Sequence, residues 1–349
     1  MKSITVLAVA LALCSPLLVP RAAHAQPASG GPTSCAPVGD LSFVCGVTNV
    51  EDFLPVDGGR WLVGGSYKEG SAGLYLIDTA AKTAKPAALS MAAKPDPLYA
   101  GCAAPDLKRL TTHGLDVVAG RGGISTVFAV NHGGGRESVE VFHLNAAKGS
   151  AEWVGCVILP PNTSGNSIAA LPKGAFAVTK FLDPTDKQAF QHIMAGDING
   201  VVYLWTPGKG FSEVAGTRLS GDNGIAASAD GKWLYVNAYG TREIYRVPLS
   251  GKGKPSSVKV DFNPDNLRWA PDGKLFVTGQ FIDPKAPPGA AVRHGWATAR
   301  LDPQTMTVSA FVKEPGLAEF DDATSAVQVG QTLWFGTFRG DRIAYRSAP

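Results

Sequence analysis

The chain has 349 residues, 41 of them glycine and 25 proline, and a formal net charge of only +3. A balance this close to neutral, with no basic stripe and no acidic tail, argues against nucleic acid as a partner. Aliphatic and aromatic residues recur throughout, so the chain is not low-complexity and can build one large β domain or two ordinary ones.

In chain order, Lys2, the apolar run Ile4–Leu18 and the small-residue stretch ending Ala23-His24-Ala25 read as a secretory signal, with the mature protein starting near Gln26. The run falls short of the ~20 residues needed to span a bilayer, and no other segment is long and apolar enough. A secreted or periplasmic protein without stable membrane insertion is therefore expected. Residues 1–25 are the signal peptide, 26–40 a Pro/Gly/Ser-rich flexible segment, and 41–349 the folded domain. Four cysteines survive signal removal: Cys35, Cys45, Cys102 and Cys156. In an exported chain they suit two disulfides; three pairings are open, and the local one (Cys35–Cys45 with Cys102–Cys156) is favoured.

From Leu41 onward, short β-like runs such as WLVGGSY, STVFAVNH, WLYVNAY, KLFVTGQF and TLWFGTF alternate with turns, some of Asp-Gly type. Six times a polar residue opens an apolar run that ends in a glycine turn. The openings are Glu51, His113, Asn166, Asn223, Asp265 and Asp322, and the turns Gly58, Gly122, Gly174, Gly231, Gly273 and Gly330. A repeat of about 50 residues with four strands per unit predicts an all-β, six-bladed β-propeller. The stretch LSFVCGV, just before the first repeat, is expected to pair with the last blade and close the ring. Residues 181–200 interrupt a blade as a candidate lid, and loops 181–200 and 281–296 are expected to shape the substrate pocket.

In a propeller the innermost strands all begin at one rim of the central channel, so their opening residues converge. Glu51 and Asp265 supply two carboxylates there, and Asn166, Asn223 and Asn266 supply neutral oxygens. That donor set suits a hard cation such as Ca2+, which takes six to eight oxygens. His113 falls at the same rim as a candidate general base, and His132, at the end of the next strand, is placed to orient it. His143, His192 and His294 receive no such placement. No G-x-S-x-G nucleophile elbow is present.

The segments VEDFLPVDGG, HGLDV, VFAVNHGGGRESVEVFHL, GNSIAALP, DNGIAASADGKWLYVNAYG, DNLRWAPDG and GTFRGDRIAY resemble the paraoxonase/arylesterase family of calcium-dependent lactonases, within the wider gluconolactonase-like propeller superfamily. The resemblance runs from about Asn49 to Ala344. It implies that Glu51, Asn166, Asn223, Asp265 and Asn266 bind a catalytic calcium, and that His113 is the base and His132 its partner. It implies a lactone or related carboxylic ester as the small-molecule substrate; a monomer is expected, with the oligomeric state left open by the sequence. The family's second, structural calcium uses an aspartate matching Asp52 and another at the position of Ser167. The second ion is left open here, with Asp116 as the substitute donor. A sugar-lactone hydrolase of gluconolactonase type would need the same cage without the histidine pair, and a non-catalytic binding propeller would need neither.

Overall fold

The structure, a computed structural model, describes residues 34–282 and 294–349. The expected signal peptide, the first part of the 26–40 segment and most of the 281–296 loop lie outside the described residues. Six antiparallel blades follow one another along the chain. Their inner strands are Phe53–Val56, Thr112–Ala119, Ser164–Ala170, Asp222–Ala227, Asn263–Trp269 and Ala323–Val329. Each opens at or within two residues of the polar position expected from sequence. The six turn glycines all adopt left-handed φ, between 56° and 79°, a conformation that costs glycine little.

The blades read as apolar runs because they are covered on both faces. Leu74–Asp78, for example, is buried at every position. The core lies between blades: Leu76, Leu115, Val127, Phe142 and Trp153 join the first to the second. Phe276, Trp296, Phe335 and Phe43 join the fifth to the sixth and to the N-terminal strand. Each such fully buried side chain contributes roughly 1.5–3 kcal/mol.

Ring closure follows the expectation. Ser42–Cys45 pairs antiparallel with Arg342–Ser347, setting Phe43 opposite Ala344, so N-terminal residues complete the sixth blade and cover its edge. Disulfides join Cys35 to Cys45 and Cys102 to Cys156, which is the favoured pairing. One blade departs from the four-strand expectation. Beyond Pro86 the chain leaves the first blade, and Ala88–Met91 pairs in parallel with Ser150–Ile158 as a fifth strand of the second. Proline cannot extend the donor ladder of the first blade, and the crossing covers the outer edge of the second.

The 181–200 insertion carries the short helix Ala189–Ala195, which buries Ala189 and Ile193 and ends at left-handed Gly196. Among the described residues no helix is long and apolar enough to cross a membrane.

Candidate metal centre and proton relay

Five of the six inner strands lose register with their partners near their first residues. The shifts fall between Thr112 and Leu115, Gly165 and Ile168, Asp222 and Ile225, Pro264 and Leu267, and Ala323 and Ser325. Such bulges re-aim side chains that a regular pleat would send up and down the blade. Inside them lie His113, Asn166, Asn223, Asp265 and Asn266. Neighbouring bulges are tied together: Thr179 Oγ1 receives the Ser167 N–H at 2.9 Å and donates to Asn223 O at 2.7 Å. Asn237 Nδ2 donates to Asp265 O at 2.6 Å. Glu51 sits two residues ahead of its strand, its carbonyl held by the Thr324 and Ser325 hydroxyls at 2.5 and 2.8 Å.

All five expected metal ligands are buried, and each keeps one oxygen without a hydrogen-bond donor: Glu51 Oε2, Asn166 Oδ1, Asn223 Oδ1, Asp265 Oδ1 and Asn266 Oδ1. Asn266 Nδ2 donates to Glu51 Oε1 at 2.6 Å, and Gln280 Nε2 donates to Asp265 Oδ2 at 2.8 Å. Burial, followed by the charges of Asp265 and Asp52, pushes the Glu51 carboxyl well above the usual range. Burial likewise raises Asp265, to about 7. Leaving buried oxygens unpaired costs about 1–3 kcal/mol each, and a compensating cation removes that cost. The donor set fits calcium: two carboxylates and three amide oxygens, all hard. Among the described residues no three His, Cys, Asp or Glu side chains cluster as metal ligands. The site's oxygen-rich make-up therefore rests on its asparagines.

Beside the cage, His113 Nε2 lies 3.7 Å from Glu51 Oε1. Its Nδ1 is 2.9 Å from His132 Nε2, and His132 Nδ1 is 2.8 Å from both oxygens of Glu137. The Gly165 N–H donates to Glu137 Oε2 at 3.2 Å. A carboxylate can only accept, so His132 carries its proton on Nδ1 and accepts from His113 Nδ1–H. The bare nitrogen of His113 is then Nε2, on the cage side. Burial, reinforced by His132, holds the His113 pKa well below the ordinary imidazole value, which keeps the ring neutral. Tyr67 stacks on His113 with centroids 4.1 Å apart and meets His132 edge-on.

The structure thus brings Glu51, Asp265, Asn266, His113 and His132 into one contacting group, with Asn166 and Asn223 in adjoining bulges. Asp52 and Asp116 do not join an open second site. Arg268 Nε donates to Asp52 Oδ1 at 3.0 Å, and its Nη2 to Asp52 Oδ2. Leu115 N also donates to Asp52 Oδ2, at 2.8 Å. Asp116 is spent on the Val117 and Ala170 amides, at 2.8 and 2.6 Å. Each oxygen of both carboxylates already accepts a hydrogen bond, and a cationic guanidinium sits on Asp52, so a second calcium does not fit. His294, given no placement from sequence, in fact pairs through Nδ1 with buried Asp322 at 2.7 Å, and Arg339 holds the same carboxylate.

Glu137, Gln280 and Arg268 were not singled out by sequence. Glu137 is the one with a usable signal, an acidic residue just past the glycine turn that follows His132. A cavity of about 1080 Å³ opens at the other end of the inner strands, among Val118, Trp233 and Trp269. None of Glu51, His113, Asn166, Asn223, Asp265 and Asn266 lines it.

The profile of the SMP-30/Gluconolactonase/LRE-like region matches residues 100–308. No curated protein matches the chain by sequence. Among solved structures, a luciferin-regenerating enzyme superposes with a TM-score of 0.54 at 14% identity, covering 88% of this chain and 92% of its own. Regucalcin of Agrobacterium tumefaciens str. C58, described as a calcium-binding protein, superposes with a TM-score of 0.52 at 12% identity, covering 87% and 91%. At these identities the likeness is one of fold.

Proposed function

The chain belongs to the SMP-30/gluconolactonase/LRE-like family, and from that premise we propose that it is an exported, monomeric, calcium-dependent hydrolase of lactones or related carboxylic esters, with paraoxonase-like specificity. The observation that carries this reading is five orphaned buried oxygens on residues at or near the starts of the inner strands, together with a neutral, carboxylate-oriented histidine 3.7 Å from one of those residues, Glu51. Glu51, Asn166, Asn223, Asp265 and Asn266 would hold the ion, which when bound supplies Lewis acidity toward an ester carbonyl.

The chain's own residues supply the proton chemistry. His113 Nε2 takes a proton from a water molecule as its oxygen attacks the carbonyl carbon. The resulting imidazolium is stabilised through His132 by the Glu137 carboxylate. As the ring C–O bond breaks, the leaving alkoxide takes a proton back and a hydroxy acid is released. Tyr67 packs one face of the His113 ring and limits its motion. The two disulfides are compatible with an extracellular location.

A sugar-lactone hydrolase would use the same cage, but the His113–His132–Glu137 chain has no task in it. The deciding experiment is elemental analysis of the purified protein, with a panel of lactones, aryl esters and sugar lactones assayed with and without chelator. Calcium-dependent turnover of simple lactones supports the proposal. Chelator-insensitive hydrolysis, or turnover of sugar lactones alone, refutes it.

A further inference from the structure

Arg268 is buried on the inner strand of the fifth blade, two residues beyond Asn266. All three nitrogens of its guanidinium donate to oxygen. Nε and Nη2 grip the two oxygens of Asp52, Nη2 also donates to Leu115 O at 3.1 Å, and Nη1 donates to Leu267 O at 2.7 Å. Asp116 contributes a second nearby carboxylate that favours the charge. Carboxylates and peptide carbonyls converging on one buried point are the surroundings a hard cation takes. Here that place is filled by a cation attached to the chain. Arg268 and Asp116 also line the far cavity, so the guanidinium stands between that cavity and the cage.

We propose that Arg268 is a built-in replacement for a second, inner metal ion, so that the protein carries a single exchangeable cation, the one in the outer cage. This rests on the reading of the outer cage given above. An arginine cannot be chelated and stays protonated at any working pH. Asp52 therefore remains neutralised, and the Glu51–Asp52 segment stays anchored to the fifth blade when the outer ion leaves. Removal of calcium should empty the catalytic cage without dismantling the channel.

The test is a count of ions. Protein equilibrated with excess calcium and passed through a desalting column is measured by native mass spectrometry and elemental analysis. One calcium per chain is expected. Two overturn the proposal while leaving the outer cage intact, and none refutes the reading of the outer cage itself. In parallel, wild-type protein is treated with EDTA and followed by circular dichroism. The spectrum should be retained at room temperature, and one equivalent of calcium should rebind. Unfolding in EDTA would reveal a structural ion and overturn the proposal.

Arg268→Ser frees Asp52 and Leu115 O together and supplies a hydroxyl oxygen of its own, and should raise the count to two. Should that variant fail to fold without metal, refolding in calcium with a count of two supports the proposal, and a count of one counts against it. Arg268→Lys keeps a fixed charge at the same place and should hold a single ion.

Discussion

Glu137 accepts a hydrogen bond from His132 Nδ1 at 2.8 Å, and this contact sets which nitrogen of His113 is basic, although Glu137 does not touch His113. Glu137→Gln removes the charge that stabilises a protonated histidine pair but keeps the size and an acceptor. Turnover should fall about 10- to 100-fold, the range for outer partners of catalytic histidines. KM and the thermal midpoint should change little. Steady-state kinetics on the best lactone would decide it, and wild-type turnover in Glu137→Gln would remove Glu137 from the mechanism.

His113→Gln and Asp265→Ala should separate the two halves of the site. The first removes the base from a ring that stacks on Tyr67 without carrying the fold, so turnover drops sharply and calcium affinity is kept. The second removes one of two carboxylates and frees Gln280 Nε2. It should lose most activity and also the calcium-dependent rise in thermal midpoint. Calorimetric titration with calcium distinguishes them, and normal lactone hydrolysis by both variants would discredit the mechanism.

The propeller was legible in the sequence because its periodicity survives in turn chemistry. Gly58, Gly231 and Gly273 mark the same corner of three blades, and all three adopt the left-handed φ that corner requires. That Glu51, Asn166, Asn223 and Asp265 fall at or near the starts of inner strands followed from the repeat alone. The bulges that turn these side chains inward leave no composition signal. The roles of Arg268, Gln280 and His294 were hidden because each depends on a partner from another strand. Arg268 meets Asp52 across 216 positions of chain, and His294 meets Asp322 across 28. The fifth strand of the second blade gives no clear signal because Ala88–Met91, short and mostly exposed, lacks the apolar run of the other strands.

In chelator, the pH dependence of stability should run opposite to that of an ordinary acid-denaturing protein. Burial raises the folded-state pKa of Glu51 and, to about 7, that of Asp265, while in the unfolded chain both titrate near 4. Between those limits the folded state binds more protons, so stability is greatest at the acid end and is lost as pH rises through the folded values. His113 works the other way, because its lowered folded value favours unfolding as pH falls below about 6.5. Two carboxylates against one imidazole leave the first trend dominant. The thermal midpoint of chelated protein should fall by several degrees from pH 5 to pH 8, and calcium at pH 8 should restore it. A midpoint that is flat or rises with pH in EDTA would contradict the picture of an uncompensated carboxylate pair.

The two disulfides should not contribute equally. Cys102–Cys156 closes a loop of 54 positions and Cys35–Cys45 one of 10. Loop-closure entropy assigns them about 4 and about 3 kcal/mol respectively. Cys102→Ser with Cys156→Ser should therefore lower the thermal midpoint more than Cys35→Ser with Cys45→Ser. The second pair should act on ring closure, since Cys45 ends the strand that completes the sixth blade. Hydrogen exchange of Arg342–Ser347 amides should rise in that variant alone. Equal protection in both variants would mean the N-terminal bridge does not support the closing strand.

Gly224 tests whether the bulges themselves build the cage. A Cβ there would lie 2.3 Å from Asp265 O and 2.6 Å from Asn266 Cα, both backbone atoms of the neighbouring bulge that cannot swing aside. Gly224→Ala must therefore push apart the bulges carrying Asn223 and Asp265–Asn266, two of the ligand-bearing segments. Asn237 Nδ2 still ties Asp265 O to the fourth blade, and the apolar core between blades is untouched, so the protein should fold with a moderate loss of stability of about 1–3 kcal/mol. Calcium affinity should drop at least tenfold, because ligand oxygens displaced by tenths of an ångström no longer fit one ion. Gly231→Ala, on the distant turn of the same blade, has open space around its Cβ beyond Pro172 but a φ of 66°. It should cost stability at the turn and leave calcium binding unchanged. Equal calcium affinities in the two variants would show that the contact between bulges does not set the geometry of the ion site.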